Sequence, residues 1–315
     1  MNNDSHKIKI IFIGTADFGL PAFAALTREP DFAIVLVITQ PDKPIGRKQI
    51  TVASPIKIAA LKNGITVLQP ANIIEVTHKI SLLKPDLIIT AAYAQLIPEA
   101  ILEIPKFGCL NLHASLLPKY RGAGVIQAAI LNNDEVTGVT IIKMDKGLDT
   151  GPMLKQVSFK IDPEDTAGSL YDKLSSLSAD FLIKTVKEYL DGKITPVAQD
   201  SSRASYAKEL TKGDGLVDWT KPAEYLTRFI RAMSPWPMAW TWWQGKKIKI
   251  ISAQTETIEI NSYKPGKTFK YNSGLAAQCG RNALIIKRLQ LEGKTELGSE
   301  EFLRGQKDFV GSTLG

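Results

Sequence analysis

Cysteine and histidine are scarce in this chain of 315 residues, which has two of the first and three of the second. Cys109 and Cys279 lie far apart with no CxxC partner, so neither a disulfide framework nor a thiolate zinc site is expected. His6, His78 and His113 show no ligand spacing, so no metal is expected either. No apolar run approaches the roughly 18 residues that a membrane helix needs. The start, MNNDSHKIKIIFIG, has only a short apolar run leading into a strand pattern, unlike a signal peptide. A soluble protein of the reducing cytoplasm, without a membrane partner, is therefore expected; a monomer is expected as well, though no sequence feature specifies the oligomeric state. Repeats and low-complexity tracts are also missing. GTADFG after the first strand is not GxGxxG, and no acidic residue ends the second strand, so a nucleotide cofactor is disfavoured.

What the chain does have is length for two cores, because one core stops growing near roughly 250 to 300 residues. Its charge is uneven: residues 1–205 carry 22 Lys and Arg against 21 Asp and Glu, whereas residues 206–315 carry 17 against 11. A basic field in the last third suits a polyanion such as nucleic acid, with plain solubility as the alternative. IKIIFIG (8–14) and AIVLVIT (33–39) read as strands around a helix-like FGLPAFAAL, with a helix near SPIKIAALKNG and strands at 65–70, 86–92, 108–113 and 138–144 to follow. Such alternation predicts a doubly wound α/β domain with a mainly parallel sheet. Leu170, Leu174, Leu177 and Phe181 mark a closing helix, and SSRAS (201–205) reads as a connector. Beyond it, Leu226, Phe229, Ile230 and Met233 define an amphipathic helix ended by Pro235, with Arg228 and Arg231 elsewhere on its surface. The strands MAWTWW, KKIKIISA, KTFKY and ALIIKRLQL then predict a small β-barrel. The expected domains are 1–205 and 206–315.

One stretch breaks its own pattern. In LNLHASLLPKYRGAG (110–124), Asn111 and His113 share one face of a strand, with Leu110 and Leu112 on the other. Ligands of open parallel sheets bind beyond the carboxyl ends of the strands, and the Pro118 loop marks such an end. Two satisfied core polar groups are the alternative. In MDKGLDTGP (144–152), Asp145 and Asp149 bracket Gly147, and Asp149 could be aimed back at His113; ordinary turn chemistry explains the same residues. A triad of Ser115, His113 and Asp149 is disfavoured, since Ser115 lies on no GxSxG elbow and only two residues from its base. Acyl transfer without a covalent enzyme intermediate fits best. Asn111 offers N–H to an oxyanion, His113 manages a proton, and Asp149 steadies the ring and a water.

NLHASLLPKYRG followed by GVTIIKMDKGLDTGPML is similar to the 10-formyltetrahydrofolate-dependent formyltransferases. GTADF, TQPDKPIGR, AAYAQLIP, YAKEL, DWT and SPWPMAW extend the resemblance in order over nearly the whole chain. The resemblance implies a Rossmann-like catalytic domain and a smaller OB-like, tRNA-binding barrel. It makes Asn111, His113 and Asp149 a catalytic triplet that moves a formyl group from 10-formyltetrahydrofolate to the α-amine of methionyl initiator tRNA. Ser115, Leu116, Leu117 and Pro118 would line the folate site, completed by Tyr93, Gln95, Leu96, Ile97 and the turn from Asp145 to Asp149. The loop Asp42 to Gln49, with Arg47 and Lys48, would meet the acceptor end of the tRNA. Lys246, Lys247, Lys249, Lys287 and Arg288 are candidates for its phosphates. Ala16 and Val125 stand where the family commonly has Pro, and the basic loop is shorter than in relatives. The rival readings are formylation of an amino sugar or glycinamide ribonucleotide, a non-catalytic RNA-binding module, and a hydrolase that releases formate from the folate.

Overall fold

The computed structural model describes residues 7–45, 50–254 and 258–315. The first half alternates strands and helices: β1 (Ile8–Gly14), α1 (Leu20–Arg28), β2 (Phe32–Ile38), the hairpin β3 (Lys43–Ile45) and β4 (Ile50–Val52), α2 (Pro55–Lys62) and β5 (Val67–Leu68). Then come α3 (Thr77–Leu83), β6 (Leu87–Ala91), α4 (Glu99–Leu102), β7 (Cys109–His113), β8 (Arg121–Gly122), α5 (Val125–Leu131), β9 (Val136–Lys143), β10 (Met153–Lys160), the long α6 (Ala167–Leu190) and the short β11 (Tyr206–Ala207). Seven strands form one sheet in the order β10-β9-β7-β6-β1-β2-β5. From β7 to β5 every pairing is parallel, while β7 and β9 run antiparallel. The chain leaves β1 toward β2 and later returns to place β6 on its other side, which makes a topological switch at the carboxyl edge between β1 and β6.

The composition of β1 explains its place. Ile10, Ile11, Phe12 and Ile13 have no exposed surface at all, as expected of a strand covered on both faces. Ile11 and Ile13 join Leu36, Ile38, Ile88, Ile101 and Cys109 in one core layer, and burial there pushes the Cys109 thiol up to about 12. On α6 the buried stripe passes through Leu170, Leu174, Ser178 and Leu182, leaving the expected Leu177 and Phe181 half-buried. The strand β10 was not anticipated; its residues alternate between covered and exposed, as an edge strand's do.

The described residues of Met1–Gly122, Thr137–Phe159 and Tyr171–Tyr206 form one compact unit, and Ala123–Val136, Lys160–Leu170 and Ala207–Gly315 form a second. The second unit thus takes in two segments from the first 205 residues. One of them carries α5, which packs on α7 (Ala223–Met233). On α7 the four anticipated residues Leu226, Phe229, Ile230 and Met233 are buried. This unit's sheet is antiparallel throughout, in the order β12 (Ala239–Trp243), β13 (Lys246–Ala253), β16 (Ala283–Leu291), β15 (Gly274–Gln278), β14 (Thr268–Tyr271), with β17 (Leu297–Gly298) beside β16. Of these, β13 and β16 coincide with KKIKIISA and ALIIKRLQL to the residue.

Removing a fully buried branched side chain from the first core leaves a cavity, so Ile88→Ala is expected to cost about 2–5 kcal/mol. All five tryptophans lie in the second unit, between residues 219 and 243. Faster native-state hydrogen exchange at the β1 and β6 amides, rather than tryptophan fluorescence, is therefore the measurement.

Candidate active site

Thr90 and Asn111 are register partners on β6 and β7 at the carboxyl edge of the sheet. The Thr90 hydroxyl donates to Asn111 Oδ1 at 2.8 Å, and Asn111 Nδ2 donates to Asp149 Oδ1 at 3.3 Å. The opposite amide orientation would turn an oxygen onto the carboxylate, so the network fixes which end faces outward. Of the two N–H groups on Nδ2, one serves Asp149 and the second remains for a ligand atom.

His113 is 6% exposed. Its Nε2 lies 2.8 Å from the carbonyl oxygen of Tyr120, which only accepts, so Nε2 carries a proton. Its Nδ1 is 3.6 Å from Asp149 Oδ2. A neutral ring presents a lone pair there, and an imidazolium presents a donor.

Asp149 sits at φ +55°, the left-handed region that side chains rarely adopt. The Gly122 N–H donates to its Oδ2 at 2.9 Å. Gln199 Nε2 donates to the Asp149 carbonyl at 2.7 Å and to that of Gly151 at 2.8 Å. A Cβ on Gly151 would lie 1.9 Å from the Lys143 carbonyl oxygen, so the turn closes only with glycine there. Asp145 has the bland role: its Oδ1 accepts the Gly147 N–H at 3.0 Å and the Thr150 hydroxyl at 2.6 Å, bracing the turn.

The other anticipated residues divide. Ser115 is wholly buried and its hydroxyl donates to the Lys119 carbonyl at 2.8 Å. Leu117 is buried, with its amide on Thr140 Oγ1 at 3.1 Å; Leu116 and Pro118 are half-buried. Tyr93 and Ile97 lie in the core layer beneath the edge. The Tyr93 hydroxyl has no hydrogen-bond partner among the described residues, and burial pushes it up to about 12. Gln95 braces a loop, accepting the Ile73 N–H at 3.0 Å and donating to the Ala71 carbonyl at 3.0 Å, while Leu96 is exposed. Arg47 and Lys48 lie outside the described residues.

In the second unit, Lys247 and Lys249 stand opposite Trp242 and Trp240 on β12. Lys247 Nζ lies 3.7 Å above the Trp240 ring, and partial burial lowers the pKa of its ammonium. Lys246 and Lys287 are exposed, and Arg288 is ion-paired with Glu296.

Sequence reasoning missed Thr90, Arg121, Gly122 and Gln199. A hydroxyl closing the apolar run DLIIT was a usable signal for Thr90; nothing local marks Gln199, whose contacts are distant in sequence. Among the described residues no three His, Cys, Asp or Glu side chains converge as metal ligands, and no helix is long and apolar enough to cross a membrane.

The family model for formyl transferases matches residues 7–186, and that for the formyl transferase C-terminal domain matches residues 209–307. The methionyl-tRNA formyltransferase of Lachnospira eligens is 41% identical over 315 residues, covering 98% of this chain and 100% of its own. WlaRD, a sugar 3N-formyl transferase crystallised with dTDP and 5-N-formyl-THF, superposes with a TM-score of 0.64 at 22% identity, over 92% of this chain and 100% of that one. The methionyl-tRNA formyltransferase from Clostridium thermocellum superposes with a TM-score of 0.58 at 18% identity, over 89% of this chain and 99% of its own. At such identities the two superpositions establish the fold alone.

The ring geometry makes a prediction that needs no substrate. At alkaline pH, ¹⁵N NMR of the ring should find His113 as the Nε2–H tautomer, with Nδ1 unprotonated. The opposite tautomer would remove the Tyr120 contact from the account.

Proposed function

The chain belongs to the formyl transferase family, and from that premise we propose that it carries a formyl group from 10-formyltetrahydrofolate to the α-amine of methionyl initiator tRNA. The observation that carries the reading is the convergence of Asn111 Nδ2 and His113 Nδ1 on the Asp149 carboxylate, at 3.3 and 3.6 Å, beyond the sheet's carboxyl edge. The amine nitrogen bonds to the formyl carbon and the carbonyl electron pair moves onto oxygen. The second N–H of Asn111 and a protonated Nδ1 of His113 meet that oxyanion. Asp149 orders the water that takes the proton from the amine. Collapse breaks the bond from carbon to the folate nitrogen, which takes a proton in turn. The product is an N-formylated methionyl tRNA for translation initiation.

The folate is placed against Tyr93, Gln95, Leu96 and Ile97, against Ser115, Leu116, Leu117 and Pro118, and against the turn starting at Asp145. The buried Tyr93 hydroxyl without a partner supports a polar ligand there. Residues 1–205 are assigned to catalysis and 206–315 to tRNA phosphates, through Lys246, Lys247, Lys249, Lys287 and Arg288; Arg47 and Lys48 are assigned to the acceptor end. The protein is placed in the cytoplasm as a monomer. An amino-sugar acceptor is disfavoured, because the methionyl-tRNA formyltransferase of Lachnospira eligens is 41% identical over 98% of this chain, and a region with 17 basic against 11 acidic residues has less purpose there.

Asn111→Ala removes one oxyanion donor and is expected to lower formyl transfer by about 10²- to 10³-fold with the fold intact. Turnover with methionyl initiator tRNA and with a nucleotide-linked amino sugar, on one folate donor, measures both the residue and the acceptor. Parent-level turnover in the variant would refute the role of Asn111. For tRNA binding, each phosphate contact adds about 0.9 to the slope of log affinity against log salt, so Lys249→Ala should flatten that slope by about this amount.

A further inference from the structure

We propose that Gln199 is a positioning residue for Asp149, held in its donating orientation by the buried guanidinium of Arg121; this rests on the reading of Asp149 given above. A glutamine amide can face either way, and here all four of its hydrogen-bonding places are spoken for. Both hydrogens of Nε2 go to carbonyls, Asp149 at 2.7 Å and Gly151 at 2.8 Å. Its Oε1 accepts from Arg121 Nε at 3.1 Å and Nη2 at 2.9 Å. Turned over, the amide would set oxygen against two carbonyls and NH₂ against a cation. Arg121 therefore decides which end of Gln199 faces the turn.

The cost of that arrangement argues that it does more than fasten a loop. Arg121 is 3% exposed, and its other side-chain partners are neutral: the Tyr206 hydroxyl at 3.2 Å, the Ser201 hydroxyl at 3.4 Å and the face of the Tyr206 ring. No carboxylate pairs with it among the described residues. A guanidinium taken out of water without an acid is costly, and a loop could be fastened with neutral groups alone. The next residue, Gly122, donates its N–H to Asp149 Oδ2 at 2.9 Å. Arg121 and Gly122 thus hold Asp149 at both ends, at the carbonyl through Gln199 and at the carboxylate directly. A left-handed aspartate relaxes once either hold is lost. Its carboxylate then leaves Asn111 and His113.

Gln199→Glu separates this role from a structural one. The new carboxylate pairs with Arg121, so the fold persists, but the carbonyls of Asp149 and Gly151 lose both donors. The expected result is a fall in kcat of about 10- to 100-fold, KM for folate and tRNA within about twofold, and a melting midpoint no lower than the parent's. If Gln199 served only to partner Arg121, Gln199→Glu would keep parent kcat, which would overturn the proposal. Gln199→Met, of similar size with neither donor nor acceptor, is read in the same assay: loss of kcat in a folded protein supports the proposal, parent kcat overturns it. Asp149→Ala stands beside both. An inactive Asp149→Ala with a fully active Gln199→Glu defeats only the role of Gln199, whereas an active Asp149→Ala defeats the reading beneath it.

Discussion

The site depends on one constraint: a carboxylate held in a backbone conformation that aspartate does not favour. Left-handed geometry at a residue other than glycine costs of order 1–3 kcal/mol. Two hydrogen bonds to Asp149, one of them to a charged oxygen, are each worth about as much. The balance is close, so the conformation survives only where several partners act together. Asn111 and His113 are ordinary strand residues in regular places. They become a site because Asp149 is brought to them.

The strand order explains why such a turn is needed. Because β9 runs antiparallel to β7, Lys143 at its exit pairs with Leu110, while Thr140 pairs with His113. The chain therefore leaves β9 on the wrong side of Asn111 and His113. It must climb back along β7 within a few residues before entering β10. The Met144 N–H bonds the Cys109 carbonyl at 2.7 Å, and Gly151 presses on the Lys143 carbonyl, so the climb is made by a tightly folded loop. Asp145 braces the lower part of that loop by turn chemistry, and Asp149 occupies the part level with the site. The same motif thus contains both roles that a D-x-G-x-D pattern allows, one at each aspartate.

The strands and the face shared by Asn111 and His113 were legible in the sequence, because period-2 alternation and apolar runs are local signals. The helix face of α7 was legible for the same reason. The partners of Asp149 were not, since Gln199 and Arg121 meet it through contacts far apart in sequence. Nor were the contacts made by SSRAS. It reads as a connector, yet the Ser205 hydroxyl accepts the Tyr120 N–H at 3.0 Å and its carbonyl accepts the Arg121 N–H at 2.8 Å. That segment anchors the backbone at Tyr120 and Arg121, next to the groups that contact His113 and Asp149. The short β15, GLAAQ, carries little of the branched or aromatic character that marks a strand, and only its pairing with β14 and β16 defines it.

The network around Asn111 also bears on how little must change during reaction. Its oxygen is held by Thr90 and one N–H by Asp149, so the amide is already oriented before any substrate arrives. In the proposed reaction the oxyanion would take the other N–H, and no existing bond would have to break to receive it. His113 is held likewise through Nε2, which leaves Nδ1 as the ring's only adjustable position. Donors fixed in advance cost no reorganisation as charge develops, which is the condition under which electrostatic stabilisation is most effective. The buried guanidinium behind Gln199 fits the same logic: the cost of orienting the site falls on folding and is not met again at each turnover.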